Sequence, residues 1–205
     1  MNKKINNILK KKYYSKIVCL TAYSKSIAKI LDKYVDIILV GDSMANVLYG
    51  HKNTHKLTLE NIIQHTLSVK MGVKKSLLVV DMPKGSYNNL KSAEKNIKLV
   101  MKKTRCDAVK LESNNKNYKI IDKLVNKKIP IMGHIGFTPQ YKKKFKIEGQ
   151  TKVEINNLLK EAKLIEKSGA FSIVLECISS QAAKIISSKL NIPTIGIGSS
   201  SYCDG

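Results

Sequence analysis

Five ionisable side chains in this sequence occupy the same kind of position. Asp42 follows Ile37-Ile38-Leu39-Val40-Gly41, and Asp81 follows Leu77-Leu78-Val79-Val80. Glu112 ends the run begun by Ala108-Val109, His134 follows Ile131-Met132-Gly133, and Glu176 follows Ile173-Val174-Leu175. A carboxylate at the end of an apolar run stands close to low-dielectric surroundings, which is costly unless it is paired or binds a metal. Asp42, Asp81 and Glu112 brought together would repel and raise one another's pKa unless a cation neutralised them. Oxygen-only ligands suit Mg²⁺ or another hard divalent ion, which keeps positions open for substrate or water. The plainer reading is that each acid caps a helix or satisfies loop amides. That reading serves one strand-end aspartate well and three such acids poorly, in a chain with only 15 acidic residues. Lys110 stands two residues before Glu112, on the same strand face. It would neutralise a substrate carboxylate or pair with a neighbouring acid. His134 would donate a hydrogen bond to substrate or ligate a metal. Glu176, behind Val174-Leu175, is expected to be desolvated enough to act as a general base, the alternative being a cap or an ion pair. His51, His55 and His65 read as satisfied polar groups. Gly196-Ile197-Gly198 lies where barrels bind phosphate, but without a third glycine the signal is weak.

The elements that must position these residues alternate. Residues 2–14 read as a short amphipathic helix or arm, and 18–23 as the first strand. A helix follows with Ile27, Ile30, Leu31 and Tyr34 at the spacing of one buried face. The strand ending in Asp42 leads to a long loop, 44–56, holding Tyr49, Gly50, His51 and His55; long loops in compact domains are commonly functional. Thr58 caps the next helix, with Leu59, Ile62, Ile63 and Leu67 on its apolar face and an end near Gly72. Strand 77–80, helix 91–103 (Ala93, Ile97, Val100 and Met101 inward), strand 108–112 and helix 118–126 come next. They are followed by strand 129–134, helix 153–167, strand 171–176, one more helix and strand 193–198. The apolar, β-branched runs suit strands buried on both faces of a parallel sheet. Strands alternating with helices give an α/β fold. A doubly wound sheet gathers function at one switch point, whereas a barrel turns every strand end toward one mouth. Polar residues closing five different strands favour a TIM-type (β/α)8 barrel. The expected organisation is one domain over 1–205, with 1–16 as an N-terminal helical arm.

The chain carries 37 Lys and Arg against 15 Asp and Glu, a formal charge of +22. Such a charge suggests nucleic acid or an anionic membrane. Yet Arg105 is the only arginine, and nucleic-acid readers lean on arginine for bidentate contacts. Lysine comes with abundant asparagine and isoleucine, the mark of an A/T-biased coding sequence. The runs Lys10-Lys11-Lys12 and Lys142-Lys143-Lys144 do not interleave with stacking aromatics. The charge therefore reads as a solvated surface, with neither nucleic acid nor membrane as partner. Cys19, Cys106, Cys177 and Cys203 have no C-x-x-C spacing, which argues against a disulfide framework and for a reducing compartment. The start Met1-Asn2-Lys3-Lys4-Ile5 is not a signal peptide, and no run approaches a membrane span. A cytoplasmic protein is expected.

Thr21-Ala22-Tyr23, Val40-Gly41-Asp42-Ser43, Gly50-His51, Ile62-Ile63-Gln64-His65-Thr66, Asp81-Met82-Pro83 and Val109-Lys110-Leu111-Glu112 resemble the ketopantoate (3-methyl-2-oxobutanoate) hydroxymethyltransferase family. So do Gly133-His134-Ile135-Gly136-Phe137-Thr138-Pro139-Gln140, Leu175-Glu176-Cys177 and Ile192-Pro193-Thr194-Ile195-Gly196-Ile197-Gly198, in order over essentially the whole chain. The resemblance implies a (β/α)8 barrel transferase of pantothenate and coenzyme A biosynthesis. Such an enzyme moves a hydroxymethyl group from 5,10-methylenetetrahydrofolate to 3-methyl-2-oxobutanoate (α-ketoisovalerate), giving ketopantoate. Matched by motif, Asp42, Asp81 and Glu112 would hold one Mg²⁺ per subunit, and Asp42, Ser43, Asp81, Lys110 and His134 would meet the substrate. Glu176 would be the base that forms a Mg-stabilised enolate. A homo-oligomer is implied as well.

Two departures stand out. Ser24 follows Thr21-Ala22-Tyr23 where the family has an aspartate. The sequence also stops at Asp204-Gly205, after the seventh strand, so an eighth βα unit is expected to be missing and strands one and seven to carry open edges. Folding and folate handling are the functions placed in question by this, the metal and keto-acid residues all lying on strands that are present. The alternatives are a non-catalytic relic or subunit of the family, or another Mg-dependent 2-keto-acid barrel enzyme of the phosphoenolpyruvate mutase/isocitrate lyase group. The catalytic loop with a reactive cysteine that the lyases of that group use is not found.

Overall fold

Seven strands and eight α-helices alternate along the chain in the computed structural model, which describes residues 2–113 and 117–205. Met1, in the expected arm, lies outside the described residues. The strands are β1 (Cys19–Thr21), β2 (Ile37–Val40), β3 (Leu77–Asp81), β4 (Ala108–Glu112), β5 (Ile131–Gly136), β6 (Ser172–Glu176) and β7 (Thr194–Ile197). They hydrogen-bond in the order of the sequence, β1 through β7. Parallel registers include Leu39 opposite Val79, Asp81 opposite Lys110, and Gly136 opposite Glu176. A doubly wound sheet reverses its strand order at a switch point; this order never reverses. The fold is α/β of the TIM-barrel type, with seven strands.

The chain divides into two compact units, Val18–Lys110 and a second made of Met1–Ile17 with Leu111–Gly205. The first holds β1 to β3, the start of β4, and the helices α2 (Lys25–Leu31), α3 (Met44–Val47), α4 (Leu59–Lys70) and α5 (Leu90–Thr104). The expected loop 44–56 thus contains α3 and a single 3₁₀ turn, Thr54–Lys56. Every residue of β3 is buried, as a strand covered on both faces requires. Thr58 caps α4 in a reciprocal box with Asn61. Helix α5 buries Ala93, Ile97 and Val100 as its periodicity predicts, with Thr104 buried as well.

Helix α2 departs from its pattern. Ile27, Ile30 and Tyr34 are exposed, and Ala28 is the buried residue. The reason is a close approach that only small residues allow. A Cβ on Gly72 would lie 2.5 Å from the Lys25 carbonyl oxygen and 2.9 Å from the Ala28 Cβ. The turn after α4 is therefore pressed onto the Ala28 side of α2, and the apolar stripe is left outside. Helix α4 shows a milder rotation: Ile62, Ile63, Thr66 and Val69 are buried, while Leu67 is exposed.

The second unit holds α1 (Lys3–Lys11), the end of β4, β5 to β7, and helices α6 (Tyr118–Asn126), α7 (Lys152–Lys167) and α8 (Ser180–Lys189). Helix α1 is capped by Asn2 and buries Ile5 and Ile8. Just after it, Lys12 donates to the Ser187 carbonyl at 3.1 Å and pairs with Asp204 Oδ2 at 2.8 Å. The same carboxylate oxygen accepts from the Thr194 amide and hydroxyl, at 2.8 and 2.9 Å. This hub seats the last residues against β7. The Gly205 amide donates to the Thr194 carbonyl, the Gly196 amide donates to the Gly205 carbonyl, and the Ile17 amide donates to the Asp204 carbonyl. The open edge expected at β7 is thus engaged along Thr194–Gly196 by residues 204–205.

Candidate active site

In the first unit the site residues gather around Asp81, the last residue of β3. The parallel register sets Asp81 beside Lys110 of β4. Lys110 Nζ lies 2.6 Å from Asp81 Oδ2, and both side chains are buried. Asp42, directly after β2 and also buried, donates its backbone N–H to the same oxygen at 3.3 Å. Asp81 Oδ1 is buried and has no hydrogen-bond partner among the described residues. Burial pushes the Asp81 carboxyl up; Lys110 pulls it down, the Asp42 charge pushes it up again, and the net result is about 7. The ion-pair reading of Lys110 is therefore realised with Asp81. Ser43 stands at the N-cap of α3 but makes no cap bond; its hydroxyl lies 2.8 Å from the Tyr23 hydroxyl. Ser24 likewise makes no side-chain cap on α2.

In the second unit the residues gather around His134, inside β5 and 1% exposed. Its Nε2 is 3.2 Å from Glu176 Oε2, and its Nδ1 is 3.8 Å from Glu112 Oε1. The imidazole thus stands between two carboxylates. Glu112 is fully buried, and its Oε2 accepts the Gln140 amide at 3.0 Å, while its backbone carbonyl accepts from Asn117. The Glu176 side chain, at the end of β6, keeps about a fifth of its surface in solvent (21%).

The backbone under Glu176 is tightly set. The Phe137 amide donates to the Glu176 carbonyl at 2.8 Å, and Gly136 has φ +91°. A Cβ on Gly136 would fall 2.1 Å from that carbonyl oxygen, so only glycine fits. Cys177, the next residue, takes φ +52°, an uncommon left-handed conformation for a residue with a side chain. The expected phosphate glycines have a packing use: a Cβ at Gly196 would lie 3.0 Å from Cys203 Sγ.

The donor set fits a hard divalent ion. Among the described residues no three His, Cys, Asp or Glu side chains form a ligand cluster. Mg²⁺, however, takes one or two carboxylates and fills its remaining positions with water and substrate oxygens. Asp42 and Asp81 supply two carboxylates close enough for their charges to interact, and the buried Asp81 Oδ1 has no hydrogen-bond partner among the described residues.

Sequence reasoning gave no role to Tyr23, Gln140 or Asp32. Tyr23 and Gln140 appear in the motifs but meet their partners through tertiary contacts. Asp32 collects the amides of Lys74, Lys75 and Ser76, a partnership across more than forty residues that no local signal marks. His55 sits against Lys84, 3.2 Å from Nε2 to Nζ, and His65 bonds to Tyr23 and Tyr49.

The chain matches the model of a protein family described as ketopantoate hydroxymethyltransferase over residues 2–205. It is 52% identical over 205 residues to 3-methyl-2-oxobutanoate hydroxymethyltransferase of Pelagibacter ubique, covering all of this chain and 80% of that protein. It is 46% identical over 195 residues to the protein of the same name from Clostridioides difficile, covering 93% of this chain and 71% of that one. Among solved structures, 2,3-dimethylmalate lyase, of the PEP mutase/isocitrate lyase superfamily, superposes with TM-score 0.68 at 14% identity, covering 95% of this chain and 72% of that one. Phosphonopyruvate hydrolase, in complex with oxalate and Mg²⁺, superposes with TM-score 0.73 at 9% identity, covering 96% and 72%. At these identities the structural likeness concerns the fold.

Proposed function

Because the chain belongs to the ketopantoate hydroxymethyltransferase family, we propose that it transfers a hydroxymethyl group from 5,10-methylenetetrahydrofolate to 3-methyl-2-oxobutanoate, in the pathway to pantothenate. Asp42 and Asp81 are the residues that would hold Mg²⁺, with water and substrate oxygens in its remaining positions; the third expected ligand, Glu112, is engaged instead by the Gln140 amide. When bound, that ion would act as a Lewis acid toward the 2-keto acid. Lys110 and Ser43 bind the substrate's anionic oxygens, Lys110 keeping one of its three protons on Asp81. Glu176 removes the proton at C3 of the keto acid. His134, whose Nε2 stands 3.2 Å from Glu176 Oε2, donates to the substrate. Water adds to the methylene carbon of the folate iminium and the C–N bond breaks, releasing that carbon at the formaldehyde level while the two water hydrogens end on the folate nitrogens. The carbon nucleophile attacks the released carbonyl carbon, and Glu176 returns the C3 proton to the resulting alkoxide, giving the hydroxymethyl group. The protein acts as a homo-oligomer.

The observation that supports this reading most is Asp81. Its Oδ2 is held by Lys110 and the Asp42 amide, while its Oδ1 is buried without a hydrogen-bond partner among the described residues. A buried carboxylate oxygen left in that state is costly, and a cation at the substrate site removes the cost. A lyase or mutase activity has only fold likeness behind it, at 14% identity or below.

The test is proton NMR of 3-methyl-2-oxobutanoate in D₂O with protein and Mg²⁺, following loss of the C3 proton signal. Exchange that stops with EDTA, or in Glu176→Gln, establishes the proton-abstraction half of the reaction without folate. A folded protein that shows no exchange at any keto-acid concentration defeats the proposal and favours a non-catalytic family member. Among the described residues no helix is long and apolar enough to cross a membrane.

A further inference from the structure

We infer that Tyr23 is a positioning residue that sets the Ser43 hydroxyl for the keto acid, with His65 and Tyr49 holding Tyr23 in place. The inference rests on the keto-acid reading given above. A serine at a helix N-cap ordinarily turns its oxygen to the first-turn amides. Ser43 is at that place before α3 and does not do so. Its Oγ instead lies 2.8 Å from the Tyr23 hydroxyl. Gly41 makes the room, since a Cβ there would lie 3.0 Å from Ser43 Oγ and 3.8 Å from the Tyr23 hydroxyl oxygen.

The proton directions in this chain of contacts can be assigned. His65 Nδ1 is 2.8 Å from the Tyr23 carbonyl oxygen. A carbonyl only accepts, so Nδ1 carries the hydrogen, and in the neutral imidazole Nε2 is left as an acceptor. Tyr49, whose hydroxyl lies 2.8 Å from Nε2, therefore donates to it. The Tyr49 ring stands edge-on to His65 and stacks on His51, with centroids 5.8 and 5.9 Å away. The segment after β1, the loop after β2 and helix α4 are thus tied into one chain of contacts that ends at Ser43.

At that end two hydroxyls share one hydrogen bond. A Ser43 that binds an anionic substrate oxygen gives its own hydrogen to the substrate, so the bond between the two hydroxyls must be donated by Tyr23. A phenol is a stronger donor than an alkyl hydroxyl, and accepting from it strengthens the donation that Ser43 makes. Tyr23 thereby fixes the Ser43 rotor and polarises its O–H without touching the reacting atoms.

The test measures keto-acid-dependent C3 exchange in Tyr23→Phe, Ser43→Ala, the double variant, His65→Asn and His65→Leu, with unfolding midpoints for each. Tyr23→Phe removes a single oxygen and is expected to fold. It should raise KM for the keto acid about 3- to 10-fold, the range of one hydrogen bond, with a smaller change in kcat. The double variant should be no worse than Ser43→Ala, because Tyr23 acts only through Ser43. His65→Asn keeps an N–H donor near the Nδ1 place and should stay closer to wild type than His65→Leu. A Tyr23→Phe variant with unchanged KM, or an effect that multiplies with that of Ser43→Ala, overturns the positioning role while leaving the functional reading intact. A wild-type protein without exchange removes both together.

Discussion

Asp32 offers a perturbation whose size and pH dependence follow from geometry. It stands at the C-terminal end of α2, where a negative charge meets the unfavourable end of the helix dipole, at a cost of about 0.3–1 kcal/mol. Its carboxylate nevertheless accepts the Lys74 amide at 3.0 Å, the Lys75 amide at 3.0 and 3.1 Å, and the Ser76 amide at 2.8 Å. Those amides lead directly into β3, which carries Asp81. Hydrogen bonds to a charged acceptor contribute about 1.5–3 kcal/mol each. On truncation, water can reach the amides of exposed Lys74 and Lys75, whereas Ser76 is buried. Asp32→Ala should therefore cost about 2–4 kcal/mol, and Asp32→Asn, which keeps one acceptor oxygen, about half of that.

Burial pushes the Asp32 carboxyl up, but the amide bonds and the Ser76 hydroxyl outweigh it and hold the carboxyl below its ordinary value. A carboxyl with a lowered folded-state pKa stabilises the fold above the unfolded-state pKa of about 3.9. That stabilisation is lost as the pH falls through the folded-state value. The difference in unfolding free energy between wild type and Asp32→Asn, measured by urea denaturation, should be constant from about pH 5 to 8 and should shrink below about pH 4. A difference under about 0.5 kcal/mol at pH 7, or one that persists undiminished at about pH 3, refutes the reasoning.

Gly136→Ala should lower C3 exchange by about 100-fold or more, because moving a catalytic group by about 1 Å has effects of that order. Its new Cβ would meet the Glu176 carbonyl oxygen at 2.1 Å and Ile178 at 2.8 Å, and parallel measurement of the unfolding midpoint will show a loss of stability as well. Lys12→Ala removes the ion-pair partner of Asp204, whose Oδ2 keeps the Thr194 amide and hydroxyl. With Lys12 fully and Asp204 largely buried, urea denaturation should register a loss of about 3–5 kcal/mol. Mg²⁺ at about 100 times its Kd should add about 2.7 kcal/mol to stability. The resulting rise in unfolding midpoint should vanish in Asp81→Asn; an equal rise in that variant would remove Asp81 from the metal's ligands.

How much of this was legible in the sequence depends on the range of the contacts involved. Element order, parallel strands and the strand-end places of Asp42, Asp81, Glu112 and Glu176 follow from local patterns. Apolar β-branched runs that end in a polar residue declare themselves within about ten residues. The buried face of α2 could not be read that way, because it was decided by Gly72 meeting Ala28 rather than by the stripe of Ile27, Ile30 and Tyr34. The amides that Asp32 collects, the Tyr23–Ser43 pair and the hub of Lys12, Thr194 and Asp204 join residues 10 to 192 positions apart. The sequence by itself determined which residue types emerge at the strand ends, because periodicity and β-branching act on neighbours along the chain. Only the tertiary structure decided which of them pair. Lys110 meets Asp81 because a parallel register sets the two side by side, and the edge of β7 is engaged by residues 204–205 because a buried ion pair holds them there.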